Sequence, residues 1–296
     1  MKPFTFKATT HSTAPASIGK PVGSAVMEAV IDEPGPVEVD TVGTDWEANL
    51  SGLLNLKHPK AVAAGLKERK EPIKIYTHVV RHPAHGFFLV DTGVSQRLVE
   101  DPTGVGVGFM LKKYGGIDKM NPRPSTAQVI EAQGVPLAGV FMTHLHLDHV
   151  SGFPDIPLDV PVYTGADEAE ARLFLNAVAQ GTNNHLLEGR PPLQELQFER
   201  DPDGKLAGVN DVFGDGSFFA ILTPGHTIGH LSFLARTPDG AVLMTGDVSH
   251  TRWGWENDVE PGTFLAERDA SRESLLALKA LSKRHPKMDV RLGHQA

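Results

Sequence analysis

The sequence predicts an α/β fold arranged as a four-layer αββα sandwich, and three observations lead there. Short apolar runs of strand length alternate along the chain with helical segments. Four of those runs end in a few residues rich in histidine and aspartate. With 296 residues, 40% of them hydrophobic, the chain can bury a substantial core as one large domain or two small ones.

Taken in order, residues 1 to about 44 are rich in Ala, Thr, Pro and Gly and weakly patterned, with β-prone pieces at 25–31 and 36–42. They read as an arm plus the opening strands. Trp46, Leu50, Leu53 and Leu54 then fall at i, i+4, i+7 and i+8, the stripe of an amphipathic helix, and residues 59–69 continue as a second helix. This insertion offers a flap over a site or a homodimer surface. Residues 73–80 and 87–90 are the next strand pair. Ser125-Thr-Ala-Gln128 is a capping box opening a short helix that Gly134 closes. The apolar run 138–142 follows. Helices are expected at 166–180 and 271–285, the second carrying Leu275, Leu278 and Leu281 on one stripe and stopping before Pro286. Further strands are expected at 218–223, 241–245 and 288–292. The chain therefore divides into residues 1–71, an arm with opening strands and a helical insertion, packed on a core of 72–296, the two expected to form one structural domain.

After the run at 138–142 the chain reads T-H-L-H-L-D-H, three imidazoles and one carboxylate within six residues, 144–149. In extended chain His144 and His146 share a face, whereas Asp148 and His149 need a turn to aim at a second position. One segment can thus serve two metals, imidazole suiting zinc and a carboxylate able to bind or bridge. His226, Asp247 and His294 each follow another strand-like run, directly behind a glycine. Without any cysteine, thiolate ligands and disulfides are excluded.

Together D-T-G at 91–93, T-H-L-H-L-D-H, T-P-G-H-T at 223–227, T-G-D at 245–247 and G-H at 293–294 resemble the metallo-β-lactamase-fold hydrolase superfamily, in the family's order across residues 72–296. The resemblance implies two divalent ions, zinc first, with iron or manganese also tolerated by such donors. It implies that His144, His146 and His226 hold one ion, that Asp148, His149 and His294 hold the other, and that Asp247 bridges them. Asp91 would support the ligands from behind. The implied reaction is attack of a metal-bridging hydroxide on a lactone or related ester, with Asp148 and Asp247 holding the nucleophile.

Within the superfamily the likeness is strongest to the N-acyl-homoserine lactonase and pyridoxolactonase group, on D-P-x-G at 101–104, G-D-V-S-H at 246–250 and a chain that stops near the last ligand. Those lactonases place a tyrosine three residues after the bridging aspartate, where this chain has His250, which the resemblance makes an alternative acid for the leaving oxygen. Trp253 and Trp255 are expected to line a substrate pocket, and His230 to support the ligands. His78, His82, His85 and His185 are expected to be ordinary core or surface residues. A thioesterase of the glyoxalase II kind, a phosphodiesterase and a single-iron sulfur dioxygenase are the alternatives. A Glu where His146 stands would point to the oxygen reductases of this fold, and true β-lactamases usually lack the equivalent of Asp247.

The net charge of −8 and the absence of basic stripes argue for a small-molecule substrate over a nucleic acid. No run approaches the ~18 apolar residues of a membrane span. The start, M-K-P-F-T-F-K, has no apolar leader core, so a cytoplasmic location is the default, with a periplasmic or secreted one if a leader was removed before residue 1.

Overall fold

The computed structural model describes residues 6–174 and 176–295. Among them the strands are β1 (Thr13–Pro15), β2 (Lys20–Val22), β3 (Glu38–Asn49), β4 (Lys70–His82), β5 (Gly86–Val90), β6 (Leu137–Phe141), β7 (Val162–Thr164), β8 (Leu193–Glu195), β9 (Gly208–Asp211), β10 (Phe218–Leu222), β11 (Leu231–Thr237), β12 (Gly240–Met244) and β13 (Asp289–Arg291). One sheet runs β1-β8-β7-β6-β5-β4-β3 and the other β13-β12-β11-β10-β9-β2. The first 22 residues thus supply a short edge strand to each sheet.

Both faces of each sheet are buried, which the two-residue side-chain period makes visible. Phe88 and Val90 of β5, Phe218 and Ala220 of β10, and Val242 and Met244 of β12 meet in one apolar layer between the sheets. Their neighbours point the other way. Phe87 and Leu89 pack beneath helical and loop segments on the first sheet's outer face, and Phe219, Ile221 and Leu243 pack under the helix Arg268–Arg284 through Leu275, Leu278 and Leu281. Two outer helical layers around two sheets give the αββα sandwich.

Four expected elements differ. Residues 25–31 hold the helix Ser24–Glu28, because Met27 and Ile31, four apart, are both fully buried while β-branched Val26 faces solvent. The stripe from Trp46 to Leu54 crosses a junction. Trp46 lies in β3, opposite Ile73 of β4, and only Leu50–Leu53 make a helical turn. Twelve cross-strand partners from Glu38 to Asn49 outweigh the local helical pattern. Residues 166–180 split into a 3-10 turn, Glu168–Glu170, and the helix Asn176–Leu186, since the Glu168 carboxylate is tied to Leu145 and Gly229 in other parts of the fold. The expected second insertion helix shortens to Pro59–Ala63, its start capped by His58. The capping box of Ser125 and Gln128 is formed as read, opening Thr126–Glu131.

Candidate metal centre

All seven donors predicted from the sequence converge at one end of the sandwich. After β6 the chain bends at Thr143, and His146 then heads the turn Leu147–Val150 that carries Asp148 and His149. His226 follows β10, Asp247 sits in the turn Gly246–Val248 after β12, and His294 follows β13. Donor atoms of His144, His146 and His226 lie within 4.8 Å of one another, as do those of Asp148, His149, Asp247 and His294. Asp247 Oδ2 stands between the groups, 3.2 Å from His226 Nε2 and 3.4 Å from His149 Nε2. A glycine before His294 is required, since a Cβ on Gly293 would come within 2.3 Å of Asp247 Oδ1.

Hydrogen bonds on the far side of three of the rings decide where their protons reside. His149 Nδ1 donates to Asp91 Oδ2 at 2.7 Å, and His294 Nδ1 to the Lys74 carbonyl at 2.7 Å. The Thr143 hydroxyl gives its proton to Asp91 Oδ2, leaving its oxygen to accept from His144 Nδ1 at 3.0 Å. These three rings therefore aim bare Nε2 lone pairs into the centre. His226 Nε2 lies 3.0 Å from His144 Nε2 and 2.9 Å from His146 Nδ1. Lone pairs so crowded repel unless a cation lies among them, and nitrogens around tetrahedral zinc stand about 3.3 Å apart. His149 Nε2 and Asp247 Oδ1 are buried with no hydrogen-bond partner, which costs free energy that a cation would recover. The donor set fits a pair of divalent ions.

The charge balance agrees. Burial, joined by repulsion from neighbouring rings, pushes His144 and His226 well below their usual range, and His146 to about 4. Burial also opposes a charge on His149 and His294, yet Asp91, Asp247 and Asp148 outweigh it, lifting His149 well above its usual range and His294 to about 10. Asp148 falls to about 2 and Asp247 well below its usual value, because nearby histidines overcome the burial that would raise them. The centre calls for positive charge, which a pair of divalent ions would supply.

A cavity of about 580 Å³ opens over the centre, its floor formed by His146, Asp148, His226, Asp247, His250 and His294. Trp46, Leu53, Met110, Leu111, Tyr114, Val178 and Phe264 form most of the apolar wall. Neither Trp253 nor Trp255 lines it, contrary to the sequence expectation. The helix Arg252–Asn257 turns them away, Trp255 into the core beside Leu275 and Trp253 against Leu50, Leu54 and Val259. The third tryptophan, Trp46, takes the place expected of them.

His250 is buried on the cavity floor, its Nδ1 donating to the Leu53 carbonyl at 3.1 Å and its Nε2 lying 3.0 Å from Asp247 Oδ2. The insertion thus touches the site through a backbone oxygen, which no sequence signal marks. His230 accepts the Asp247 N–H on Nε2 at 3.0 Å and fixes that aspartate's backbone. Of the remaining histidines, His185 is exposed and His78 is buried beside Thr41. His82 and His85 gather with Asp215 in a second cluster. There the His82 Nδ1 accepts from Ala84 N–H, leaving the proton on the Nε2 that faces Asp215. That tautomer is the reverse of the one in the main centre, and it makes His82 a donor rather than a ligand.

The family model for the metallo-beta-lactamase superfamily matches residues 72–294. Curated relatives include an N-acyl homoserine lactonase AttM of Rhizobium johnstonii, 29% identical over 214 residues covering 72% of this chain and 78% of that protein. The AttM of Agrobacterium fabrum is 29% identical over 208 residues, covering 70% and 76%. Among solved structures, a quorum-quenching N-acyl homoserine lactone lactonase superposes with a TM-score of 0.61 at 18% identity, covering 89% of this chain and 94% of its own. A dizinc quorum-quenching lactonase bound to its product gives 0.53 at 14% identity, covering 95% and 92%. These distant structures share the fold.

Proposed function

The chain belongs to the metallo-beta-lactamase superfamily, and from that premise we propose that it is a two-metal hydrolase that opens a lactone or a closely related ester. The observation carrying this reading is the convergence of seven buried or half-buried donors, three of their ring protons pinned outward, beneath an apolar cavity. Kinship to the AttM lactonases supports the choice of a cyclic ester. His144, His146 and His226 would hold one ion, and Asp148, His149 and His294 the other, with Asp247 shared. Zinc suits so nitrogen-rich a set. Such a pair, when bound, lowers the pKa of water from about 15.7 toward 7 and polarises a carbonyl oxygen.

The chain's own residues supply the rest. Trp46, Leu53, Met110 and Phe264 exclude water and seat the apolar part of the substrate. Asp247, held ionised by the surrounding histidines, orients the attacking water and relays its proton to the Nε2 of His250, 3.0 Å away. Water adds to the carbonyl carbon, the ring C–O bond breaks, and the departing alkoxide takes up a proton to give the hydroxy acid. His250, fixed by the Leu53 carbonyl and facing Asp247, is the group that hands over that proton.

Metal content of protein purified without added metal, paired with rates on lactones, aryl esters, thioesters and phosphodiesters, tests the reading. About two zinc ions per chain, with lactone turnover lost in Asp247→Asn, is the expected result. Preferred turnover of a thioester or phosphodiester would move the substrate assignment. One iron per chain with no hydrolysis would sink the hydrolase reading and favour oxygen chemistry.

A further inference from the structure

Glu168 is fully buried, and its carboxylate is used up by three neutral donors. Its Oε1 accepts the Leu145 N–H at 3.0 Å, and its Oε2 accepts the Thr227 hydroxyl at 2.6 Å and the Gly229 N–H at 3.1 Å. Leu145 is the residue between His144 and His146, and Thr227 follows His226. One side chain therefore spans both segments that carry the three-histidine group.

The surroundings leave it little freedom. A Cβ on Gly229 would meet both Cβ and N of Glu168 at 2.8 Å, and one on Gly165 would meet the Gly229 carbonyl at 1.9 Å, so the two loops are pressed together without an intervening side chain. On the other side of the Leu145 peptide, buried Asn183 donates to the Leu145 carbonyl at 2.7 Å. The N–H and C=O between His144 and His146 are thus both gripped by side chains, Glu168 from the 3-10 turn Glu168–Glu170 and Asn183 from the helix Asn176–Leu186. Burying a carboxylate is costly unless its hydrogen bonds are made. Burial raises the Glu168 pKa to about 7 even against those three bonds. A glutamine of the same volume could not satisfy three donors in this way, and an alanine would leave all three unpaired.

We propose that Glu168 is a positioning residue for the three-histidine half of the centre, a clamp that sets the distance between the His144–His146 segment and the His226 loop. The inference rests on the reading of those histidines as a metal site. Partners one step behind metal ligands tune affinity by roughly 10–100-fold, so loosening this clamp should release metal from one half of the centre before the other.

The test follows zinc per chain in the full-length protein across a graded chelator series for wild type, Glu168→Gln and Asp201→Asn, with thermal melts of each metal-free form. Asp201 is another buried carboxylate with several N–H donors, placed away from the centre. The expected result is that Glu168→Gln falls from about two zinc ions to about one at roughly tenfold lower chelator strength than wild type. Asp201→Asn should lower the melting temperature while keeping the wild-type zinc curve. If the glutamine variant does not fold, Glu168→Asp, which keeps the charge but withdraws it by one methylene, is read in the same way. A wild-type zinc curve in the Glu168 variant overturns the inference alone, as does zinc loss in Asp201→Asn that scales equally with lost stability. Wild type that holds no zinc overturns the metal reading and the inference with it.

Discussion

Asp91 condenses the site's construction into one residue. It sits at φ 56°, in the left-handed region where a non-glycine residue is uncommon and aspartate is among those that tolerate it. That conformation lets one carboxylate accept from Thr143 N–H, the Thr143 hydroxyl and His149 Nδ1 together. Asparagine there offers one acceptor oxygen in place of two, so Asp91→Asn should weaken zinc binding by about 10–100-fold, read by chelator competition. His250→Phe should lower lactone turnover by about 10²–10⁴-fold with zinc per chain unchanged, which separates proton transfer from metal binding. The tryptophans make an opposed pair. Trp255→Ala should cost about 3–5 kcal/mol of stability in denaturant melts and leave KM alone, whereas Trp46→Ala should raise KM most for substrates with large apolar groups. The reverse pattern would restore the expectation drawn from the sequence.

At the scale of elements, local chemistry was legible and distant pairing was not. The Ser125 capping box is contained within four residues, so sequence suffices to recognise it. The β3–β4 ladder joins residues such as Trp46 and Ile73, and nothing near Trp46 announces that partner. The loop before β9 shows the same dependence. Asp201 accepts N–H groups of Ser24, Asp203, Lys205 and Leu206, tying that loop to the start of the helix Ser24–Glu28. Burial alone would raise its pKa, but these donors pull it from 3.8 to about 2. A depressed carboxylate stabilises the fold above its unfolded pKa and loses that contribution as pH falls through the folded one, here about 2 kcal/mol lost between about pH 4 and pH 2. Chemical denaturation of wild type and Asp201→Asn across that range checks it, the difference between them shrinking toward the acid end.

For the whole molecule, the two sheets bring the ends of β6, β10, β12 and β13 to one rim, and the centre is the place where those ends meet. Metal that binds only the folded chain adds stability by mass action, about 4 kcal/mol at a thousandfold excess over its dissociation constant. Chelation should therefore lower the melting temperature in step with the logarithm of free zinc, and calorimetry across a zinc series reads that slope directly. A melting temperature indifferent to zinc would contradict a site built into the fold.

The sequence by itself determined the candidate donor set and the sandwich, because each candidate donor lies within a few residues of the strand that presents it and because the strands are apolar runs alternating with helical segments. Tertiary structure alone decided which residues wall the cavity and which ones brace the centre beyond Asp91 and His230. Trp46, Leu53, Met110 and Phe264 come from separated parts of the chain and share no chemistry beyond being apolar, while Glu168 and the Leu53 carbonyl act through contacts with backbone atoms that every residue carries. A short spacing records local geometry; a meeting of distant segments leaves no such record until the chain has folded.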